Sequence, residues 1–242
     1  MQKNPLVSVI VSVFNRPKLT WKSVESLLQQ VRYTPVQVLL CDDGSNQETK
    51  SVLHALCQKH NQPDQGIFVQ TVTNSDEPKG VSHANNMGIY AARGEVLVLA
   101  DNDVVYAPGW LNLGTRLVLD PVNVLAGVKI VSLFNYFYKG QAPDIFSSCG
   151  VPVFRNRYGT GCNLIFRKGF LQELGGIFPL GVPDDLYLHD LLFKQRTDGY
   201  LITLDSYVQH IGAESTLYHP MIARAYNFLG NREEAELLCP GS

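Results

Sequence analysis

A five-residue apolar run, Val96-Leu97-Val98-Leu99-Ala100, ends on Asp101-Asn102-Asp103, and that junction constrains the fold of this chain more than any other feature. Residues 95–100 read as a buried strand, and a carboxylate pair at the strand's end cannot belong to the core. Burying an unpaired carboxylate costs several kcal/mol, so the pair must meet solvent, a cation or a polar ligand. A second run, Val36-Gln37-Val38-Leu39-Leu40-Cys41, ends on Asp42-Asp43-Gly44-Ser45 in the same way. Two strands delivering acidic residues from their carboxyl ends point to a crevice at the rim of a parallel sheet, where open α/β folds bind ligands. Acidity there suits a divalent cation with a phosphorylated ligand.

Periodicity supplies the rest of the architecture. Further strands are predicted at 6–13, 66–72, 124–133, 163–166 and 201–208. Helices are predicted from Pro17, at 49–60, at 82–92 with Gly94 as a left-handed C-terminal glycine, at 108–119, 168–174 and 184–196. Strand and helix alternate through the first half, which argues for right-handed βαβ units. Residues 135–158 read as a long, aromatic-rich loop, and 220–238 as two closing helices. The expectation is a single α/β domain over 1–216, with a nucleotide-binding half to about 104 and an acceptor-binding half beyond it. Residues 217–242 are expected to form a helical extension packed on the same domain.

Composition narrows the function. With 45% hydrophobic and 17% charged residues over 242 positions, the chain is ordinary globular protein, and a net charge of −2 gives no reason to expect nucleic acid. No apolar stretch approaches the ~18 residues of a membrane span, and no signal-peptide pattern is seen near the start, so a cytoplasmic location is expected. The five cysteines are odd in number and lack CxxC spacing, which argues against structural zinc or a disulfide framework. Cys41 and Cys162 are expected to pack as small apolar groups.

After the first strand comes Phe14-Asn15-Arg16-Pro17, not GxGxxG, and no GxxxxGK[ST] follows any strand. A dinucleotide cradle and a P-loop are both absent. A phosphate beside these aspartates would be repelled by about 4 kcal/mol per close like-charge pair at an effective dielectric of ~20. A divalent cation reverses that sign, and oxygen donors favour Mg²⁺ or Mn²⁺.

In order, Val7-Ser8-Val9-Ile10-Val11-Ser12-Val13-Phe14-Asn15, Asp42-Asp43-Gly44-Ser45, Gly80-Val81-Ser82-His83-Ala84-Asn85-Asn86-Met87-Gly88 and Asp101-Asn102-Asp103 resemble the family-2 glycosyltransferases of GT-A fold. Gly159-Thr160-Gly161-Cys162-Asn163, Asp184-Asp185 and His210-Ile211-Gly212 continue the likeness to about Thr216. The resemblance implies a mixed, mainly parallel sheet, a nucleotide-sugar donor (UDP by association), a divalent metal and transfer with inversion to a carbohydrate-type, lipid-linked or protein hydroxyl. It implies nucleotide contacts at Ser12, Phe14, Asn15, Asp42, Asp43, Asn86, Asp101 and Asn102. Metal contacts are implied at Asp103, Asp101 and His210, and acceptor contacts at Thr160, Gly161 and Cys162. Asp185 matches the general base; Tyr187 stands where relatives carry an acid, so Asp184 stays an alternative and Asp190 a distant third. Asn85 stands where relatives often carry arginine. Peripheral membrane association and homo-oligomerisation are compatible with the resemblance.

Two other classes fit parts of the pattern. A nucleotidyltransferase would also unite metal and carboxylates on an α/β sheet, although residues 14–17 make a poor glycine-rich triphosphate loop. A transferase-like protein that binds nucleotide or glycan without turnover is the other. His83 and His189, both on helices, read as ordinary structural residues.

Overall fold

A computed structural model describes residues 6–29, 35–74, 76–135, 145–156, 162–195 and 199–211. Chain contacts group everything through His210 into one compact unit and the residues from Ile211 onward into another. The closing helices expected at 220–238 lie outside the described residues.

The compact unit is a ten-stranded mixed sheet covered on both faces. Its first part alternates as expected: β1 (Val7–Val13), α1 (Pro17–Gln29), β2 (Val36–Asp42), α2 (Gln47–His60), β3 (Ile67–Val72), α3 (Val81–Ala91) and β4 (Val96–Asp101). These four strands pair in parallel in the order β3-β2-β1-β4. Strands buried on both faces need apolar residues at every position, and β1, β2 and β4 are apolar along most of their length for this reason. Val7, Val9 and Val11 face one core with Val24 and Leu27 of α1 and Leu53 and Leu56 of α2. Ile10, Leu39 and Leu97 face the other, with Ala84 and Met87 of α3.

A buried polar network closes the amino end of the sheet. Ser8 Oγ donates to Gln37 Oε1 at 2.7 Å, and the same oxygen accepts from Arg93 N–H. Gly94 does not take the left-handed conformation expected of it; α3 ends at Ala92 in extended geometry. Glycine is required at 94 by close approach instead. A Cβ there would stand 2.6 Å from Ser8 N and 2.8 Å from Leu6 O, both backbone.

The second part is β5 (Val104–Tyr106), α4 (Trp110–Leu119), α5 (Pro121–Leu125), β6 (Ile130–Asn135), β7 (Phe146–Ser148), β8 (Val151–Asn156), β9 (Asn163–Arg167), α6 (Lys168–Glu173), α7 (Asp184–Lys194) and β10 (Tyr200–His210). Beyond β4 the sheet continues β9-β6-β10-β8-β7, with β5 paired to β10. Two expectations are corrected here. The strand expected from residue 124 begins at Ile130, because Asp120 Oδ1 accepts from Asn123 N–H and Pro121 opens a short helix in front of it. The expected loop at 135–158 contains the hairpin β7–β8, turned by Cys149 (φ 50°) and Gly150 (φ 78°). Two successive positive φ values give the tight turn that matches strand twist. Phe154 of that hairpin is fully buried, which an exposed loop would not achieve.

Candidate active site at the β1–β4 crevice

Chain order reverses across β1: the connections run outward to β2 and β3, then return to β4 on the other side. The carboxyl ends of β1 and β4 therefore bound the crevice that such a switch creates. Register places Ser12 level with both Cys41 and Asp101, and Val13 level with Asp42. Ser12, Asp42, Asp43, Asp101 and Asp103 thus share one rim.

The carboxylates on that rim differ in what they touch. Asp42 is buried, and its Oδ1 accepts from Ser45 N–H at 3.0 Å, forming the turn out of β2. Asp43 is also buried. Its Oδ2 accepts from Lys79 N–H (2.9 Å) and Gly80 N–H (2.6 Å), and its Oδ1 lies 2.8 Å from His83 Nδ1. Asp43 so anchors the loop that leads into α3. Asp103 is almost fully buried, and its Oδ2 receives Arg16 Nη1 at 2.7 Å. Asp101 is half-buried, and its carbonyl accepts from Ser23 Oγ.

The segment after β1 is stitched to its neighbours. Asn15 N–H donates to Ser45 Oγ, and Asn15 Oδ1 accepts from Asn46 N–H, both at 2.9 Å. Asn102 Nδ2 donates to Thr20 Oγ1, so the middle residue of the acidic triplet points into α1 and not into the crevice. Phe14 is exposed at the rim. Asn86 ties α3 to the segment before α7: its amide exchanges two hydrogen bonds with the Phe178 backbone, at 2.8 and 2.9 Å. Asn85 is buried on α3, with no hydrogen-bond partner for its Oδ1 among the described residues.

Other expected site residues fall differently. Cys162 packs in the core, as does Cys41, whose thiol is pushed up by burial. Thr160 and Gly161 lie outside the described residues. So do the side chains of Asp184, Asp185 and His210, although Asp184 and Asp185 open α7 and His210 ends β10 opposite Val104. Asp190 pairs with Lys194 on the face of α7, and Tyr187 packs edge-on against Phe178. His189 stacks edge-on with Tyr200, a structural contact.

Two residues given no role in the sequence reading stand in the site. Arg16 reaches across 87 positions to Asp103, and His83 across 40 to Asp43. Arg16 is the cation that follows the strand at the switch point, and His83 is the third residue of the helix that the Asp43-bound loop begins; those positions are the available signals.

The profile described as glycosyl transferase family 2 matches residues 8–175, which spans every strand of the rim. The chain belongs to that family. Among curated relatives of this family-2 chain, the O-antigen biosynthesis protein RfbC of Myxococcus xanthus is 35% identical over 172 residues, covering 71% of this chain and 10% of the relative. Glycosyltransferase GlyG of Streptococcus pneumoniae is 31% identical over 98 residues, covering 40% of this chain and 30% of the relative. The chain therefore spans less than a third of the length of these relatives. In fold it is similar to the mannosyltransferase PcManGT of Pyrobaculum calidifontis, solved with GDP-Man and Mn²⁺. The TM-score is 0.70 at 23% identity, over 98% of this chain and 65% of that one. It is also similar to residues 1–349 of TarS from S. aureus, solved with UDP-GlcNAc, with a TM-score of 0.62 at 14% identity over 96% of this chain and 70% of that one. These neighbours share the GT-A architecture, and the family-2 chain described here has it too. Among the described residues no helix is long and apolar enough to cross a membrane.

Proposed function

We propose that this chain transfers a sugar from a nucleotide-sugar, with a divalent metal and with inversion, to a hydroxyl of a glycan, lipid-linked or protein acceptor. The observation that carries the reading is the convergence of Ser12, Asp43, Asp101 and Asp103 on one rim, at the switch point between β1 and β4. Neighbours of the same fold were solved with GDP-Man and Mn²⁺ and with UDP-GlcNAc, which supports a nucleotide-sugar donor. UDP is the first nucleotide to try, and GDP the second.

The donor set fits a hard cation. Asp101 and Asp103 offer carboxylate oxygens only, and Mg²⁺-type ions take one or two carboxylates together with water and phosphate oxygens. Among the described residues no cluster of three or more acidic, histidine or cysteine groups is found, and the His210 side chain lies outside them. A cation bound there would supply Lewis-acid stabilisation to the departing nucleoside diphosphate.

The chain's own residues do the remaining work in this reading. Ser12 and exposed Phe14 line the rim against the nucleoside. Asp43, held by Lys79, Gly80 and His83, keeps the wall of the crevice in place. Asp185, or Asp184 beside it, takes the proton of the acceptor hydroxyl as its oxygen attacks the anomeric carbon and the bond to the diphosphate breaks.

A thermal-shift screen of UDP- and GDP-sugars with and without Mn²⁺ tests the reading, since ligands of the folded state raise Tm by mass action. A metal-dependent rise with at least one donor is expected. No rise with any donor overturns it. Asp185→Asn should lower transfer by about 10²–10⁴ fold while leaving that rise intact; full activity in Asp185→Asn together with loss in Asp184→Asn moves the base by one residue.

A further inference from the structure

The ion pair between Arg16 and Asp103 occupies the position where the proposed function needs a metal ligand, and three features show that the chain is arranged to put a guanidinium there. First, the pair is close, at 2.7 Å, and lopsided: the Asp103 side chain is 6% exposed and Arg16 28%, so the cation sits on the solvent side of the carboxylate. Second, the backbone that presents Arg16 is strained. Asn15 (φ 55°) and Arg16 (φ 58°) are consecutive non-glycine residues in the left-handed region, a conformation that persists only where surrounding bonds impose it. Ser45, Asn46 and Thr20 supply those bonds. Third, the Arg16 carbonyl accepts from Thr20 N–H at 2.9 Å, which makes Arg16 the N-cap of α1. A helix N-terminus favours anions and disfavours a cation. An N-cap arginine whose guanidinium reaches the buried Asp103 carboxylate suits a site that later receives an anion.

We propose that Arg16 is a resident counter-cation: it holds Asp103 in the donor-free protein and releases it to the divalent metal when the diphosphate arrives, then pairs with the diphosphate oxygens. The inference rests on the metal-dependent reading above. Two cations cannot share one carboxylate without mutual repulsion. Metal alone therefore binds weakly, whereas metal and nucleoside diphosphate arrive together, because the diphosphate gives the displaced guanidinium a new partner. By linkage each strengthens the other to the same degree. Arg16 acts here as a positioning residue that makes metal binding conditional on donor.

The test is a Mn²⁺ titration of the full chain followed by electron paramagnetic resonance, with and without saturating UDP or GDP, and with protein-free nucleotide controls subtracted. In the wild type, nucleotide should tighten Mn²⁺ binding at least tenfold. In Arg16→Met, and in Arg16→Gln as a second uncharged variant, nucleotide-free protein should bind Mn²⁺ at least tenfold more tightly than wild type, and the tightening by nucleotide should shrink. Arg16→Lys should keep the weak nucleotide-free binding. A purely structural Arg16 would change Tm without raising Mn²⁺ affinity. If wild type binds Mn²⁺ with nucleotide but neither uncharged variant binds it more tightly without, the counter-cation role is overturned while the metal reading stands. If wild type takes up no Mn²⁺ even with nucleotide, the metal reading itself fails, and this inference with it.

Discussion

The sheet has two halves that are built by different means. From β3 to β4 every pairing is parallel, each strand is joined to the next through a helix, and β1, β2 and β4 are near-continuous apolar runs. From β9 to β7 every pairing but one is antiparallel, β10 bonds to β5, β6 and β8 at once, and its register with β6 shifts between Thr203 and Tyr207. The first half makes a rim by geometry alone, since all four strands end on the same side. In the second half strand direction alternates, so position in the sequence does not say which end reaches the site.

Substitutions in each half can break or sharpen this contrast. The largest stability effect is expected in the second half. Phe154→Ala should cost about 3–5 kcal/mol in denaturant unfolding, because a fully buried ring is removed from a hairpin that, among the described residues, joins the sheet through β10. A cost under about 1 kcal/mol would mean that β7–β8 contributes little to the core. Next come two glycines. Gly94→Ala forces a Cβ against the Ser8 and Leu6 backbone, which cannot yield, and should destabilise by about 1–3 kcal/mol. Gly114→Ala meets only the tip of the Ile165 side chain, which can turn away, and should cost less. The reverse order would contradict the view that the parallel half is the rigid one.

A smaller effect is expected from the strap between α1 and α2. The Glu25 carboxylate accepts from Lys59 Nζ at 3.0 Å and lies 2.5 Å from His60 Nε2. Burial alone would raise its pKa, but the bonds to His60 and Lys59 outweigh burial and hold it below the ordinary 4.5. A carboxylate lowered on folding contributes stability that is complete above the unfolded value and is lost as pH falls through the folded one. Glu25→Gln should therefore cost about 1–2 kcal/mol at pH 7 and progressively less below about pH 4.5. Equal loss at pH 7 and pH 3 would rule out the ionic contribution.

Legibility in the sequence divides along the same line. Strand ends in the first half are legible to within a residue, and in β1, β2 and β4 the reason is that a doubly buried strand cannot hide its apolar run. The acidic residues behind β2 and β4 were visible for the same reason. The hairpin β7–β8 reads as loop in the sequence, since Cys149-Gly150 turns two short strands whose burial depends on β10, some fifty residues further on. Roles within the rim were less legible than its existence. Asp42, Asn15, Asn86 and Asn102 have the residue types of ligand contacts, yet the hydrogen bonds described here run to Ser45, Asn46, Phe178 and Thr20. Arg16 and His83 have partners far away in sequence, which no local pattern encodes.

In the function proposed above, a divalent cation on Asp103 joins a donor diphosphate to the β1–β4 crevice. Calorimetric titration of whichever nucleotide-sugar responds in the thermal screen tests it most directly, in Mn²⁺ and in EDTA, with wild type and Asp103→Asn. The account predicts that EDTA and the substitution each weaken donor binding at least tenfold, and that the two losses do not add. Unchanged donor affinity in EDTA and in Asp103→Asn would contradict it.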